Sequence, residues 1–201
     1  SKPRGGGARN GSPGARPPTL TGVTDVTPRA ASARVAAVAA TAGCVTAVGW
    51  VTAAAVAVPP RAASGCVTAV TAVNNGKPIG MAIGSFTSVS LDPPLVAFLP
   101  GKDSGSWKEI RESGSFGGNV MGQDQMDVCG VMASRAEDKF ADVAWIPAST
   151  GSPIIGGSIA FIDCQIEDIH DAGDHDIVVG RVVDLKVMES KSPLVFFQGN
   201  Y

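Results

Sequence analysis

Short apolar runs broken by strong turn signals constrain this chain more than any other feature. Residues 66–73 form a β-branched run that stops at Asn74-Asn75-Gly76, a hairpin signal. Residues 79–89 read as a strand bent at Gly80 and Gly84 and ended by Asp92-Pro93-Pro94. Further strands are expected over 95–99, 116–120, 176–187 and 194–197, and a long one within 154–169, with Asp171-Ala172-Gly173-Asp174 as a turn. Helical signals are few. Ser104 or Ser106 can cap a short helix carrying Trp107, Ile110 and the charges Lys108, Glu109, Arg111 and Glu112. A second helix is expected over 123–133 with Met126, Cys129, Val131 and Met132 inward, and a helical turn over 137–140. Closely spaced strands with little helix between them predict a mainly β fold, a β-barrel with short peripheral helices, rather than βαβ units.

Charge divides the chain near residue 62. Residues 1–62 carry six Arg and one Lys against a single acid, Asp25, for a net +6, which leaves −8 on residues 63–201. The first 62 residues hold 16 Ala, 9 Val and 8 Gly but one Leu and no Ile or Phe. Such a segment has little to bury against the entropy of ordering, so 1–62 is expected to be low-complexity and partly disordered, and 63–201 to be the folded domain. An uncharged run of 24 residues, 35–58, is long enough to cross a bilayer. Its Ala, Val and Thr content argues against membrane anchoring, since true spans lean on Leu, Ile and Phe. AGCVTAV at 42–48 recurs as SGCVTAV at 64–70, too few copies for a solenoid. The overall charge of −2 gives no pull toward nucleic acid. Four Cys without CxxC or zinc spacing read as reduced thiols of a cytoplasmic protein.

Recognised catalytic motifs are absent: there is no GxSxG, no P-loop, and no GxGxxG after a strand. Two regions carry chemistry instead. The small, polar stretch 80–90 can offer backbone N–H groups and hydroxyls to a flat polar ligand, or be an edge strand with a Ser/Thr solvent face. Residues 101–106, Gly-Lys-Asp-Ser-Gly-Ser, precede a helix and can cradle a phosphate. The only two histidines, His170 and His175, flank Asp171 and Asp174, but their spacing matches no standard zinc motif, so no metal is expected.

Several blocks together resemble one family. They are GMAIGSFTSVSLDPPLVAF (80–98), SGSW (104–107), FGGNV (116–120), GSPIIGGSIAFIDC (151–164), GDHDIVVGRV (173–182) and PLVFFQGNY (193–201). In order and spacing they resemble the flavin reductases that serve two-component flavin-dependent monooxygenases. The resemblance covers residues 63–201. It implies an FMN-binding split β-barrel, homodimeric, that binds FMN or FAD. The implied activity is hydride transfer from NADH or NADPH to flavin, with reduced flavin supplied to a partner oxygenase. The alternative from another class is a non-catalytic flavin- or heme-binding split-barrel module.

The resemblance also implies site residues. The backbone of Pro78, Ile79, Gly80, Met81 and Ala82, with Gly84 and Ser85, would line the flavin ring. Leu99, Pro100 and Gly101 would sit at the ring and ribityl edge. Gly105 and Ser106, with Ser104 nearby, would hold the flavin phosphate. Gly173, Asp174 and His175 would sit where nicotinamide stacks, with His175 as the catalytic candidate. The chain departs from the family pattern over residues 51–65, where the Phe and Leu anchors of an opening helix are missing, and at Val131-Met132, where relatives often carry an Arg-Phe-like pair.

Overall fold

A computed structural model describes residues 65–197 and 200–201. The expectations for residues 1–62, including the first copy of the repeat and the uncharged run, lie outside the described residues. The described chain forms eleven strands and two helices. In order these are β1 (Gly65–Cys66), β2 (Thr68–Asn74), β3 (Lys77–Ile83), β4 (Thr87–Leu91), β5 (Pro94–Phe98), α1 (Gly105–Ser113) and β6 (Ser115–Val120). There follow α2 (Met126–Ala133), β7 (Trp145–Pro147), β8 (Pro153–Ile155), β9 (Ala160–Ala172), β10 (His175–Val187) and β11 (Val195–Phe196). Among the described residues no helix is long and apolar enough to cross a membrane.

Seven strands make one antiparallel sheet in the order β3-β2-β6-β9-β10-β5-β4. Its two edge strands, β3 and β4, are consecutive in the chain and joined by residues 84–86. The sheet is therefore a barrel split between neighbours in sequence, the architecture the resemblance implies. β2 shows how one strand serves two cores by its period of two. Val70 and Ala72 enter the barrel core, while Val67, just before the strand, and Ala69 face a second cluster under α2 with Cys129, Met132 and Phe140.

The barrel core is an aromatic chain. Phe98 meets Trp107 edge-on at 5.7 Å between ring centroids and Phe116 at 4.9 Å. Phe116 in turn lies over Gly180 of β10, where a Cβ would come within 2.6 Å of Phe116 Cε1. β10 can pass this close to a fully buried ring only without a side chain.

Three expectations are corrected. The run 79–89 is two strands, not one bent strand, because the chain leaves one sheet edge at Ile83 and rejoins the other at Thr87. The run 154–169 holds its expected long strand as β9, with the short β8 ahead of it. Asn119 accepts from Ile155 N at 2.8 Å and donates to Pro153 O at 3.1 Å, which docks β8 apart from the main sheet. The Gly156-Gly157 turn then precedes β9. Within α2, Met126 and Val131 point to solvent, since eight residues bury only a narrow stripe, Cys129 and Met132. Residues 137–140 form bends rather than a helical turn. There Asp138 Oδ1 accepts from Phe140 N at 3.0 Å, a local side-chain bond that competes with helix.

Gly180→Ala should destabilise the fold by about 1–3 kcal/mol through overpacking against Phe116. Urea denaturation should show a lowered midpoint with little change in slope, and an unchanged midpoint would refute the close-packing account.

Candidate functional site

The β2–β3 turn, Asn75-Gly76, starts β3 along an open sheet edge, and that edge forms one wall of a groove of about 750 Å³. Met81 and Ala82 line it from β3, residues 103–106 from the start of α1, and residues 132–137 with Lys139 from the end of α2 and the segment after it. Ser104 is the N-cap of α1, its Oγ accepting from Trp107 N at 3.3 Å. Ser106 Oγ accepts from Lys139 Nζ at 3.2 Å. A hydroxyl that accepts in this way keeps its O–H to donate. With the backbone N–H groups of the first helical turn, these donors suit an anion.

Lys139 was not among the expected site residues. Its Nζ also donates to Gly80 O and to Met132 O, each at 2.9 Å, so it ties β3, α1 and α2 together at the groove wall. Burial pulls its pKa below the ordinary 10.5, with the Glu109 carboxylate opposing in part. No periodicity or motif marks it in sequence, where it is one cation in the polar run 135–139. Glu109 and Glu137 also line the groove, so its charge is mixed.

The expected residues fall into two clusters at either end of one loop. Ser104, Gly105 and Ser106 join Met81 and Ala82 in the groove. Pro78, Ile79 and Gly80 line its narrow continuation beside Ser106 and Lys139. Ile79 buries its side chain in the barrel core, and a Cβ at Gly80 would come within 3.3 Å of the Phe140 ring. Only backbone is therefore on offer there. The second cluster holds Ser85, Leu99, Pro100, Gly101 and the β9–β10 turn. Ser85 Oγ accepts from Leu99 N at 3.0 Å. Gly101 bridges His175, Asp176 N donates to Pro100 O at 3.0 Å, and Lys102 N donates to Asp174 O at 2.9 Å. Gly84, between β3 and the second cluster, is exposed, with open space where a Cβ would stand. The loop that joins the clusters closes on itself where Ser104 N donates to Gly101 O at 3.1 Å.

The β9–β10 hairpin turns on two residues, Gly173 at φ +76° followed by Asp174. His175 opens β10 with its Nδ1 2.8 Å from Asp174 Oδ1. A carboxylate only accepts, so Nδ1 carries the proton, and in the neutral ring Nε2 is the acceptor, on the side of Gly101. The bond to His175 holds the Asp174 carboxyl below its ordinary pKa. Lys102 does the same for Asp171, with which it forms an ion pair. His170 pairs separately with Asp168. Beneath the hairpin, Asp176 is buried and accepts from Trp107 Nε1 at 2.8 Å. Lys102 Nζ and Arg111 approach it to 3.9 Å. This carboxylate fixes α1 to the hairpin.

Comparison with known proteins gives the site its context. The model of the flavin reductase like domain matches residues 60–201. The chain belongs to the flavin reductase family. A flavin reductase of Pseudomonas putida is 50% identical over 133 residues, 66% of this chain and 78% of that protein. The reductase subunit HsaB of a flavin-dependent monooxygenase of Rhodococcus jostii is 45% identical, over 66% of this chain and 68% of its own. Among solved structures, the NADH:FAD oxidoreductase SgcE6 of Streptomyces globisporus, in complex with NAD and FAD fragments, aligns with a TM-score of 0.65 at 32% identity, covering 69% of this chain and 84% of that one. The donor set of this chain fits the family's ligand: Lys139, two serine hydroxyls and a helix start suit a phosphate, and the groove has the volume of a small-molecule site.

Asp176→Ala should cost about 2–3 kcal/mol, because the Trp107 N–H is left buried without its acceptor. Denaturation followed by tryptophan emission measures this, and a cost below a few tenths would show that the pair does not hold α1.

Proposed function

We propose that this chain is an NAD(P)H:flavin oxidoreductase that reduces FMN or FAD and supplies reduced flavin to a partner oxygenase. The observation that carries it is the anion-binding groove along the β3 edge, joined by one loop to a histidine-bearing hairpin, in a chain of the flavin reductase family. The names of the relatives, a flavin reductase and a monooxygenase reductase subunit, support the same reading. Bound flavin supplies the redox chemistry, accepting hydride from the reduced nicotinamide. The protein's part is to hold and orient. Ser104, Ser106 and Lys139 take the flavin phosphate. Met81, Ala82, Gly84 and Ser85, with Leu99, Pro100 and Gly101, border the ring. His175, set by Asp174, Gly173 and Gly101, positions the nicotinamide. Hydride transfer needs no general acid or base, which suits a site whose one histidine is held by a carboxylate.

The unit that does this is residues 63–201, a span close to the family match. It works as a homodimer. The edge strand β4 exposes Val89 and Leu91, and a second copy would cover that edge. The support for a cytoplasmic setting is the cysteine pattern, four Cys without CxxC or zinc spacing in a chain too long to need a disulfide scaffold.

Two variants test the placement. His175→Ala should lower NADH-dependent turnover roughly 5- to 100-fold, the loss of a positioning contact, with little change in flavin affinity. Ser106→Glu should weaken flavin binding and spare turnover once flavin saturates. The reverse pattern would show that the two ends of the flavin are misplaced. A pH series tests Lys139. Its charge is complete below its lowered pKa and is lost as pH rises toward 10.5, so FMN affinity should fall on the alkaline side, earlier than an ordinary lysine would dictate. Lys139→Met should bind FMN weakly at neutral pH and flatten that alkaline fall, and an unflattened profile would assign the titration elsewhere.

A further inference from the structure

The groove does not end at the phosphate cluster. It narrows beside Ser106 and Lys139, follows the backbone of β3 back through Gly80 and Pro78, and opens into a second pocket of about 410 Å³. Lys77 and Glu137 line all three stretches, so the path is continuous. The far pocket is built differently from the first. Its wall is aromatic: Trp145 and Phe140 meet edge-on with ring centroids 6.0 Å apart, and Pro78 adds an apolar surface. Its polar groups are the carboxylates of Glu137 and Asp138, with Lys77 at the entrance.

We propose that this pocket takes the adenylate half of a flavin adenine dinucleotide, so that the chain prefers FAD over FMN. The inference rests on the proposed flavin site and extends it. Strand β3 acts as the ruler. From Gly84 to Lys77 it covers about 23 Å at roughly 3.3 Å per residue. With the ring near Gly84 and the first phosphate at Ser106 and Lys139, the rest of a dinucleotide runs on toward Lys77, the next cation along the edge. At the end of that path an aromatic wall offers a stacking face for a base. Asp138, which the phosphate groove lacks, can accept from an exocyclic amine, which adenine carries. The pocket therefore suits a base end rather than a phosphate end. The adenylate of NADH is the competing source of the same chemistry. It is disfavoured because the nicotinamide cluster at His175 lies across the 99–106 loop, at the other end of the site from Trp145.

The test is the ratio of two dissociation constants, measured on the full chain by flavin fluorescence without turnover. The wild-type chain should bind FAD about tenfold more tightly than FMN, a typical stacking contribution. Trp145→Ala should remove that advantage and leave the FMN constant within about twofold. Lys77→Glu, an exposed substitution that touches neither core, should also weaken FAD more than FMN. It decides the matter if Trp145→Ala does not fold. Equal FAD and FMN affinities in the wild-type chain would overturn the proposal. So would a parallel loss of both flavins in Trp145→Ala, or a rise in the KM for NADH with FAD affinity unchanged. Failure of the wild-type chain to bind either flavin would remove the flavin site itself and this pocket's role with it.

Discussion

Strands β3 and β4 follow one another in sequence yet lie at opposite edges of the same sheet. A sheet arranged this way leaves unpaired backbone groups along both edges, and each must be capped, covered or given to a ligand. On β3 the capping is visible. Lys139 Nζ takes Gly80 O, while α1 and the segment after α2 leave a groove beside Met81 and Ala82. The functional groove is thus where the split of the barrel has to be. Phe86, in the link between the two strands, closes the interior by packing against Gly118, where a Cβ would come within 2.8 Å of its ring. The opening would let a ligand lie along the edge without wetting the core.

Asp176 joins this edge to the chemistry at the other end. A carboxylate this deeply buried is costly unless it is paired and hydrogen-bonded. Here Trp107 donates directly, and Lys102 and Arg111 supply opposite charge. Trp107 is also the end of the aromatic chain through Phe98 and Phe116, so the same side chain answers to the core and to the site. The position of the α1 start is therefore set by the barrel interior, and Ser104 and Ser106 inherit that rigidity. The loop 99–106 needs little order of its own, because its backbone is bonded to the hairpin at Pro100, Gly101 and Lys102.

Much of this was legible in sequence, for reasons that differ by residue. The β-rich runs and the Asn75-Gly76 and Gly173-Asp174 turns were readable because local chemistry dictates them. Ser104 could be named as a cap because capping follows from residue type and place. Where the reading failed, distant partners decided. Residues 79–89 look like one strand, and only the sheet order shows that the chain crosses the split. Residues 137–140 look helical until Lys139 and Phe140 are seen to fasten onto β3 and Trp145. Lys139 itself was invisible, since its role comes from three elements that meet only in the fold. The family resemblance named residues of both clusters but not Lys139, which sits beside Ser106 in the first of them.

The domain's own charge makes that cation matter. Residues 63–201 carry −8, and the hairpin tip adds Asp168, Asp171 and Asp174 close to where a nicotinamide would lie. At long range such a surface repels an anionic nucleotide, flavin or nicotinamide, so electrostatic steering cannot supply the affinity. It has to come from short-range donors in partly desolvated places, where a charge is worth more than in water. Lys139 brings such a charge, half-buried, with its three N–H groups already held by Gly80 O, Met132 O and Ser106 Oγ before any ligand arrives, while the Ser106 hydroxyl keeps its own O–H to donate. The desolvation that lowers its pKa is the same condition that strengthens its attraction for a phosphate. A freely solvated lysine at this position would keep its proton more firmly and hold the anion less well.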